Sequence, residues 1–400
     1  MNRVVVVGFS LAGLRAVETL RRLGYEREIV VVDPDPHEPY DRPPLSKQLL
    51  AGDWEPTEIA LRRDGLDDLA LDRRAVRARG LDVASRTVTL DDGEALSYDG
   101  LIIATGATPR RLPSQSELEG VHLLRTLDDA LALRAHLDRH PRRVVVVGAG
   151  FIGSEVAVTC RGRGLDVTVL EALPQPMVRG LGPVLGAVCA DLHRHHGVDL
   201  RLGAGVAGID GVERVEQVRL DSGEVVDADV VVVGIGVAPV TDWLEGSGLT
   251  LDNGVVCDET CAAAPGVVAA GDVCRWPNRL FDGRLMRLEH WTNAVEQGVY
   301  VAERLLRGAR DEPVEPFAPV PFVWSDQYDV KIQSAGAFSG DDDMKIVSGD
   351  PKEHKFTALF GREDRLVGVL GFSQPRLVMQ YRRMIADGGT WDDALRHAQS

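Results

Sequence analysis

At 400 residues the chain is too long for one ordinary core, so two or three domains are expected. Hydrophobic residues make up 44% and charged residues 26%, the balance of a globular chain, and no run reaches the roughly 18 apolar residues of a membrane span. A formal net charge of −16 argues against nucleic acid or an anionic membrane as partner.

Residues 1 to 10 run straight into a strand with no apolar leader, so the cytoplasm is the expected compartment. The apolar run Val4 to Val7 leads into Gly8-Phe9-Ser10-Leu11-Ala12-Gly13. Leu11, Leu14, Val17, Leu20 and Leu23 then recur at helical spacing, and Ile29 to Val32 close on Asp33. This is a strand, tight turn, helix and strand ending in an acid. Small turn residues let backbone amides approach a pyrophosphate at a helix N-terminus, and the carboxylate accepts from a ribose hydroxyl. Ser10 stands where such turns usually carry their second glycine.

The unit recurs. Val144 to Val147 precede Gly148-Ala149-Gly150-Phe151-Ile152-Gly153, a helical stretch follows, and the strand Val167 to Leu170 ends at Glu171, 23 residues after Gly148. All three glycines are present. Glu171 favours NADH over NADPH, because a carboxylate bonds a free 2′-hydroxyl and repels a 2′-phosphate. Two cradles in one chain point to two dinucleotides, one held and one exchanged. Between and after them, Leu101 to Gly106, Val230 to Gly236 and Val267 to Asp272 read as strands ending in small residues that let a backbone lie against a flat cofactor. Pro313, Pro316, Pro319 and Pro321 mark a link into a last segment. There Lys331 to Ala335, Met344 to Val347, Phe356 to Phe360 and Leu366 to Phe372 read as antiparallel strands, followed by a short helix around Arg376 to Ile385.

Five cysteines (Cys160, Cys189, Cys257, Cys261 and Cys274) form a reduced, scattered set, with no second pair at zinc-site spacing after Cys257 and Cys261. No metal site is expected. Of the 45 basic residues only Lys47, Lys331, Lys345, Lys352 and Lys355 are lysine, leaving 40 arginines, and Lys47 is the sole lysine before residue 331. A chain that otherwise writes its cations as arginine needs a compact ammonium at Lys47.

Taken in order, these motifs resemble the FAD- and NAD(H)-dependent ferredoxin reductases of bacterial oxygenase systems, the putidaredoxin reductase type. The resemblance rests on GFSLAG at Gly8, YDRPPLSK at Tyr40 to Lys47, ATG at Ala104 to Gly106 and GAGFIGSE at Gly148 to Glu155. It rests equally on GIGVAP at Gly234 to Pro239, AAGDV at Ala269 to Val273, EHWTNAVEQG at Glu289 to Gly298 and FVWSDQYD at Phe322 to Asp329. It covers essentially the whole chain, although Val240 replaces the asparagine that commonly follows the GIGVAP motif.

The resemblance implies an α/β fold with two Rossmann-like dinucleotide-binding domains, of glutathione-reductase type, and a C-terminal α+β domain with an antiparallel sheet. Residues 1–111 and 243–314 would bind FAD, 112–242 NADH, and 315–400 would cover the flavin. Bound, non-covalent FAD is implied at Gly8, Ser10, Ala12, Gly13, Asp33, Arg42, Pro43, Lys47 and Val76. It is implied too at Ala104, Thr105, Gly106, Arg125, Gly271, Asp272, His290, Trp291, Ala294 and Trp324. NADH is implied at Gly148, Gly150, Ile152, Gly153, Glu155, Glu171, Gly234, Ile235, Gly236 and Glu289.

The implied reaction is hydride transfer from NADH to FAD, then two single-electron transfers to a 2Fe-2S ferredoxin that feeds an oxygenase. Lys47 and Glu155 supply electrostatics at the flavin and nicotinamide, and no acid–base residue is required. Flavoenzymes on this plan that relay electrons through thiols need a cysteine facing the flavin, and none precedes Cys160. Arg62 and Arg63 are the favoured docking residues; Arg73, Arg74, Arg77 and Arg79, and Arg304, Arg307 and Arg310, are the other basic groups. A rubredoxin as acceptor, or an NADH-sensing role of the apoptosis-inducing-factor type, are the rival readings. A monomer or weak dimer is expected.

Overall fold

A computed structural model of the chain describes residues 1–113 and 118–399, the side chain of Arg179 excepted. They divide into two compact units, one comprising Met1–Asp41, Ala60–Thr108 and Ala238–Phe322, the other Arg42–Ile59, Pro109–Val237 and Val323–Ser400.

In the first unit the valine run Arg3–Val7 is the third strand from one edge of a six-stranded sheet. In spatial order the strands are Ala262–Ala264, Val267–Ala269, Gly100–Ile103, Arg3–Val7, Glu28–Val32 and Asp72–Arg74. All pairings are parallel except the one at the Ala262–Ala264 edge. Val4 to Val7 and Ile29 to Val32 are fully buried, the continuous apolar writing of strands covered on both faces. The helix Leu11–Arg22 returns the chain from the first strand to the second, burying Leu14, Val17 and Leu20 at helical spacing while Arg21 and Arg22 close its last turn. A second long helix, Trp291–Gly308, packs against it, and the unit also carries two three-stranded sheets, one of Ala78–Asp82, Thr87–Leu90 and Ala95–Ser97, the other of Val255–Val256, Cys274–Asn278 and Arg284–Met286.

The second unit repeats the plan. Its five-stranded parallel sheet runs Asp199–Leu202, Asp166–Glu171, Arg143–Val147, Val230–Val233 and Val121–His122, with helix Phe151–Gly162 after the central strand. It too carries a three-stranded antiparallel sheet, Val206–Gly211, Val215–Leu220 and Val225–Asp227. The last segment forms a five-stranded sheet in the order Phe322–Gln327, Val330–Gly336, Arg365–Phe372, Lys355–Arg362 and Asp343–Asp350, followed by helices Pro375–Ala386 and Trp391–Gln399. The four strands and the helix read from the sequence are present. The strand Phe322–Gln327 and the final helix were not read.

This sheet does not stand alone. Leu181, Leu185, Cys189 and Leu192 on helix Val178–His195, which is kinked at Gly182 (φ +75°) ahead of Pro183, share one apolar cluster with Ile332, Phe356, Phe360, Leu370 and Phe372.

Candidate functional site

The two cradles are built by the same close approaches. A Cβ added at Gly8 would lie 2.2 Å from the Ala104 carbonyl oxygen, and one at Gly13 would lie 2.1 Å from the Gly8 carbonyl. In the second cradle the corresponding distances are 2.4 Å from Gly148 to the Gly234 carbonyl and 2.0 Å from Gly153 to the Gly148 carbonyl. Gly8 and Gly148 also sit at φ +97° and +98°, where side chains are rarely tolerated. These glycines are required by the fold itself.

Gly150 is different. Its backbone (φ −76°, ψ −175°) suits any residue, and an added Cβ would meet no protein atom within 4 Å. No demand of the fold keeps a glycine there. The space suits a pyrophosphate resting on the first amides of helix Phe151–Gly162, whose first turn carries no acid. Ser10, the equivalent residue of the first cradle, has nearly the same backbone (φ −83°, ψ −159°), its side chain does not cap the helix it begins, and that helix too has no acid in its first turn. Both turns therefore fit a dinucleotide, as the resemblance requires of FAD and NADH.

Each acid at the end of the second strand reaches back to its own turn. Asp33 accepts hydrogen bonds from the Phe9 and Asp35 backbone amides. Glu171, nine-tenths buried, accepts from the Ala149 amide at 2.7 Å through Oε2 and from the Leu173 amide at 2.9 Å through Oε1. These carboxylates shape the turn before any ribose arrives. Ile152, 45% exposed at the start of its helix, presents an apolar side chain beside the second turn.

Lys47 and Glu155 meet in the second unit. Lys47 Nζ lies 2.9 Å from Glu155 Oε2, with side chains 14% and 4% exposed. The other four lysines are all exposed. The carboxylate has two further donors: Ser46 Oγ at 2.5 Å to Oε2 and Ser325 Oγ at 2.8 Å to Oε1. Gln327 Nε2 approaches Ser325 Oγ at 3.4 Å, which leaves the serine proton for Glu155. Thr159, one helical turn after Glu155, donates to the Ser46 carbonyl at 2.7 Å and fixes that loop. A buried ion pair needs further hydrogen bonds to persist, and here a serine hydroxyl reaches each carboxylate oxygen. Ser46, Ser325 and Gln327 were not singled out in the sequence, although they lie inside the YDRPPLSK and FVWSDQYD motifs.

The remaining candidates fall into both units. In the first, Gly271 (φ +73°) and Asp272 form the turn after strand Val267–Ala269, a Cβ at Gly271 falling 3.1 Å from that of Ala12. Helix Trp291–Gly308 begins beside it, carrying Ala294, and Trp291 Nε1 donates to Asp41 at 2.7 Å. His290 Nδ1 is buried without a hydrogen-bond partner, and burial pushes this imidazole down to about 4, so it is neutral at pH 7. An orphaned buried nitrogen beside Asp272 fits a polar cofactor edge. Thr105 Oγ1 is committed to the Val240 carbonyl at 2.8 Å, beside Gly106. Val76 lies in the bend after strand Asp72–Arg74, and Glu289 pairs with Arg287 at 2.7 Å. In the second unit Arg42 and Pro43 begin the turn that carries Lys47, and Arg125 immediately precedes the capping box of Thr126 and Asp129. Trp324 is half-buried on the strand face opposite Ser325. Ile235 and Gly236 follow strand Val230–Val233.

Arg62 is neutralised within its own unit by both oxygens of Asp68, at 2.8 and 2.9 Å, and by Glu18 at 3.5 Å. Arg63 beside it is exposed. All five cysteines are buried and free, and burial pushes Cys160 and Cys189 up to about 12. Among the described residues no group of histidines, cysteines and acids could hold a metal ion, and no helix is long and apolar enough to cross a membrane.

Residues 2–298 match the family described as pyridine nucleotide-disulphide oxidoreductase, and residues 322–398 match the one described as reductase C-terminal. The chain is 38% identical to rhodocoxin reductase of Rhodococcus erythropolis, over 96% of this chain and 89% of that protein. It is also 38% identical to the ferredoxin–NAD(+) reductase component of the anthranilate 1,2-dioxygenase system of Burkholderia cepacia, over 97% and 95%. Among solved structures, the covalent putidaredoxin reductase–putidaredoxin complex matches with a TM-score of 0.90 at 32% identity, covering 97% of this chain and 93% of that one. Two glycine cradles, the expected antiparallel C-terminal sheet and end-to-end similarity thus agree: the chain belongs to the pyridine nucleotide-disulphide oxidoreductases, in their FAD- and NAD(H)-dependent ferredoxin reductase branch.

Proposed function

We propose that the chain passes electrons from NADH to a small 2Fe-2S ferredoxin that binds it transiently and feeds an oxygenase. Bound FAD supplies the conversion of a two-electron donor's hydride into single electrons. The observation that carries this reading is the segment Arg42–Lys47, which offers an ammonium and a hydroxyl, both locked onto buried Glu155. Relatives that relay electrons through thiols need a cysteine there. The named partners of the relatives, putidaredoxin above all, support the same class of acceptor.

In this reading residues 1–111 and 243–314 bind FAD, 112–242 bind NADH, and 315–400 cover the flavin. Lys47 sets positive charge at the flavin, while Glu155, steadied by two serines, holds that ammonium in place. Gly150, Ile152, Glu171 and the Gly234–Gly236 turn receive NADH. The protein acts in the cytoplasm as a monomer or weak dimer. Docking falls on the Arg62–Arg63 corner, with Arg63 carrying the uncompensated charge. Because the chain is acidic overall, such a local basic point must work against the global field.

An anaerobic visible spectrum of the purified protein, before and after one equivalent of NADH and in parallel with NADPH, tests the first half. Bleaching of a flavin band by NADH and barely by NADPH is expected; a colourless protein that FAD does not reconstitute overturns the reading. Reduction of a 2Fe-2S ferredoxin and a rubredoxin side by side tests the second, and faster turnover of rubredoxin rejects the ferredoxin assignment. Arg62→Glu with Arg63→Glu should raise the ferredoxin KM at low salt and leave NADH–ferricyanide turnover unchanged.

A further inference from the structure

Three of the five cysteines, none used by the reaction, meet in one buried place in the first unit. Cys274 Sγ lies 3.8 Å from Cys257 Sγ, which in turn approaches the Val255 carbonyl at 3.5 Å. The side-chain amide of Gln297, fully buried on helix Trp291–Gly308, donates to Cys274 Sγ at 3.3 Å and to Cys261 Sγ at 3.4 Å. Its oxygen accepts from the Gly271 backbone amide at 2.8 Å and from Asn293 Nδ2 at 3.2 Å. The Gly271 backbone N–H can only donate, so the side-chain amide of Gln297 has a single orientation, and both of its ends are used.

The same residues pin the first cradle. Gly298, next in the chain, approaches so closely that a Cβ there would lie 2.5 Å from the Ala12 carbonyl, and Gly271 abuts Ala12 from the other side. The turn Gly271–Asp272, the cradle helix and the thiol cluster are therefore joined through one side chain. Burial, with the neighbouring thiols, pushes Cys274 far up, so its sulfur stays a protonated hydrogen-bonding group.

We propose that Gln297 is a positioning residue that couples FAD occupancy of the Gly271–Asp272 turn to the Cys257–Cys261–Cys274 cluster, making the cluster a flavin-gated site for soft electrophiles. Bound FAD holds the turn, the turn holds Gln297, and the thiols stay closed; when the flavin leaves, the cluster opens, and a modified cluster no longer lets the turn reform. The coupling is reciprocal, as any linkage between two binding events must be. With a maleimide the step is simple addition: the sulfur bonds one alkene carbon and the thiol proton ends on the other, so no oxidant is needed. The inference rests on the assignment of FAD to the Gly271–Asp272 turn.

The test treats the holoenzyme with N-ethylmaleimide, quantifies each cysteine by peptide mass spectrometry and follows released FAD by fluorescence, with and without added excess FAD. Cys257, Cys261 and Cys274 should react in step with FAD release, and excess FAD should slow both by the same factor. Cys160 and Cys189, buried in the other unit, should stay unlabelled throughout. Gln297→Leu strands the Gly271 amide and should speed FAD release and labelling of the three cysteines by roughly ten- to hundredfold. If that variant does not fold, Cys274→Ala, which leaves the Gly271 bond in place, should give a smaller rise in both rates. Labelling independent of FAD, or labelling of all five cysteines together, overturns the proposal. If Asp272→Ala weakens FAD binding but Gln297→Leu does not, the coupling alone is wrong. If Asp272→Ala leaves FAD binding intact, the placement of FAD at this turn is wrong.

Discussion

Glu155 and Lys47 are 108 positions apart in sequence and 2.9 Å apart in space, and the lysine is the one member of its kind that the structure does not leave exposed. Serine hydroxyls hold both carboxylate oxygens, so the ammonium sits at a fixed point with little freedom to drift. Lys47→Met removes one partner of a buried pair and should cost about 3–5 kcal/mol of stability, more than Lys47→Met combined with Glu155→Met, because the single change leaves an uncompensated charge. Urea unfolding of both variants measures the difference; equal losses would show that the pair is not electrostatically coupled.

Ser325→Ala leaves Glu155 Oε1 without its donor. The expected effect is a loss of about 1–3 kcal/mol in stability, together with a shift in flavin midpoint potential that Ser325→Thr restores. Spectroelectrochemical titration of the three proteins reads this directly, and an unchanged potential in Ser325→Ala would reduce the serine to a packing role.

The glycines of the second turn should separate cleanly. Gly150→Ala meets open space, so stability should fall by no more than about 1 kcal/mol while the KM for NADH rises about tenfold or more. Gly153→Ala drives a Cβ to 2.0 Å from the Gly148 carbonyl and should abolish folding of the unit. Thermal melts and steady-state kinetics on the two variants settle the contrast, and a Gly150→Ala enzyme with unaltered KM would mean that the space is not for the pyrophosphate.

Glu171→Gln offers an NH₂ group where a backbone amide now finds an acceptor. Both NADH affinity and the stability of the cofactor-free protein should drop, the former about tenfold, and discrimination against NADPH should narrow. Comparing KM values for the two nucleotides, and melting temperatures without either, checks both halves.

Three imidazoles, His122, His193 and His290, are held down to about 4 from an ordinary 6.5, in each case chiefly by burial. A folded-state value below the unfolded one means that the neutral form is favoured by folding. The stability they confer is thus present above pH 6.5 and lost as pH falls from 6.5 toward 4, at up to about 1.4 kcal/mol per pH unit for each. Urea midpoints at pH 7.5, 6 and 5 should fall progressively. His193→Gln, which keeps a polar partner for Tyr328, should flatten the fall; a midpoint constant across that range would contradict it.

What could be read from the sequence was local. Valine runs, glycine turns and a terminal acid are contiguous signals, so both cradles and four of the five strands of the last segment were legible. The donors to Glu155 were not, because Ser46 and Ser325 lie 109 and 170 positions away and a serine carries no periodicity of its own. The final helix was within reach: Thr390 accepts from the Asp393 amide at 3.1 Å, a threonine-to-acid spacing visible in the chain. Arg62 was legible only as a cation, since nothing local announced that Asp68 and Glu18 would quench it.

The helix Val178–His195 has one more bearing, on recombination among relatives. Leu181, Leu185 and Leu192 are buried against the C-terminal sheet, at about 1.5–3 kcal/mol each. A chimera joined near residue 322 would leave those leucines facing a foreign surface. Tails are interchangeable only if the donor also supplies that helix, so the unit of exchange is larger than the family boundary at residue 322 suggests.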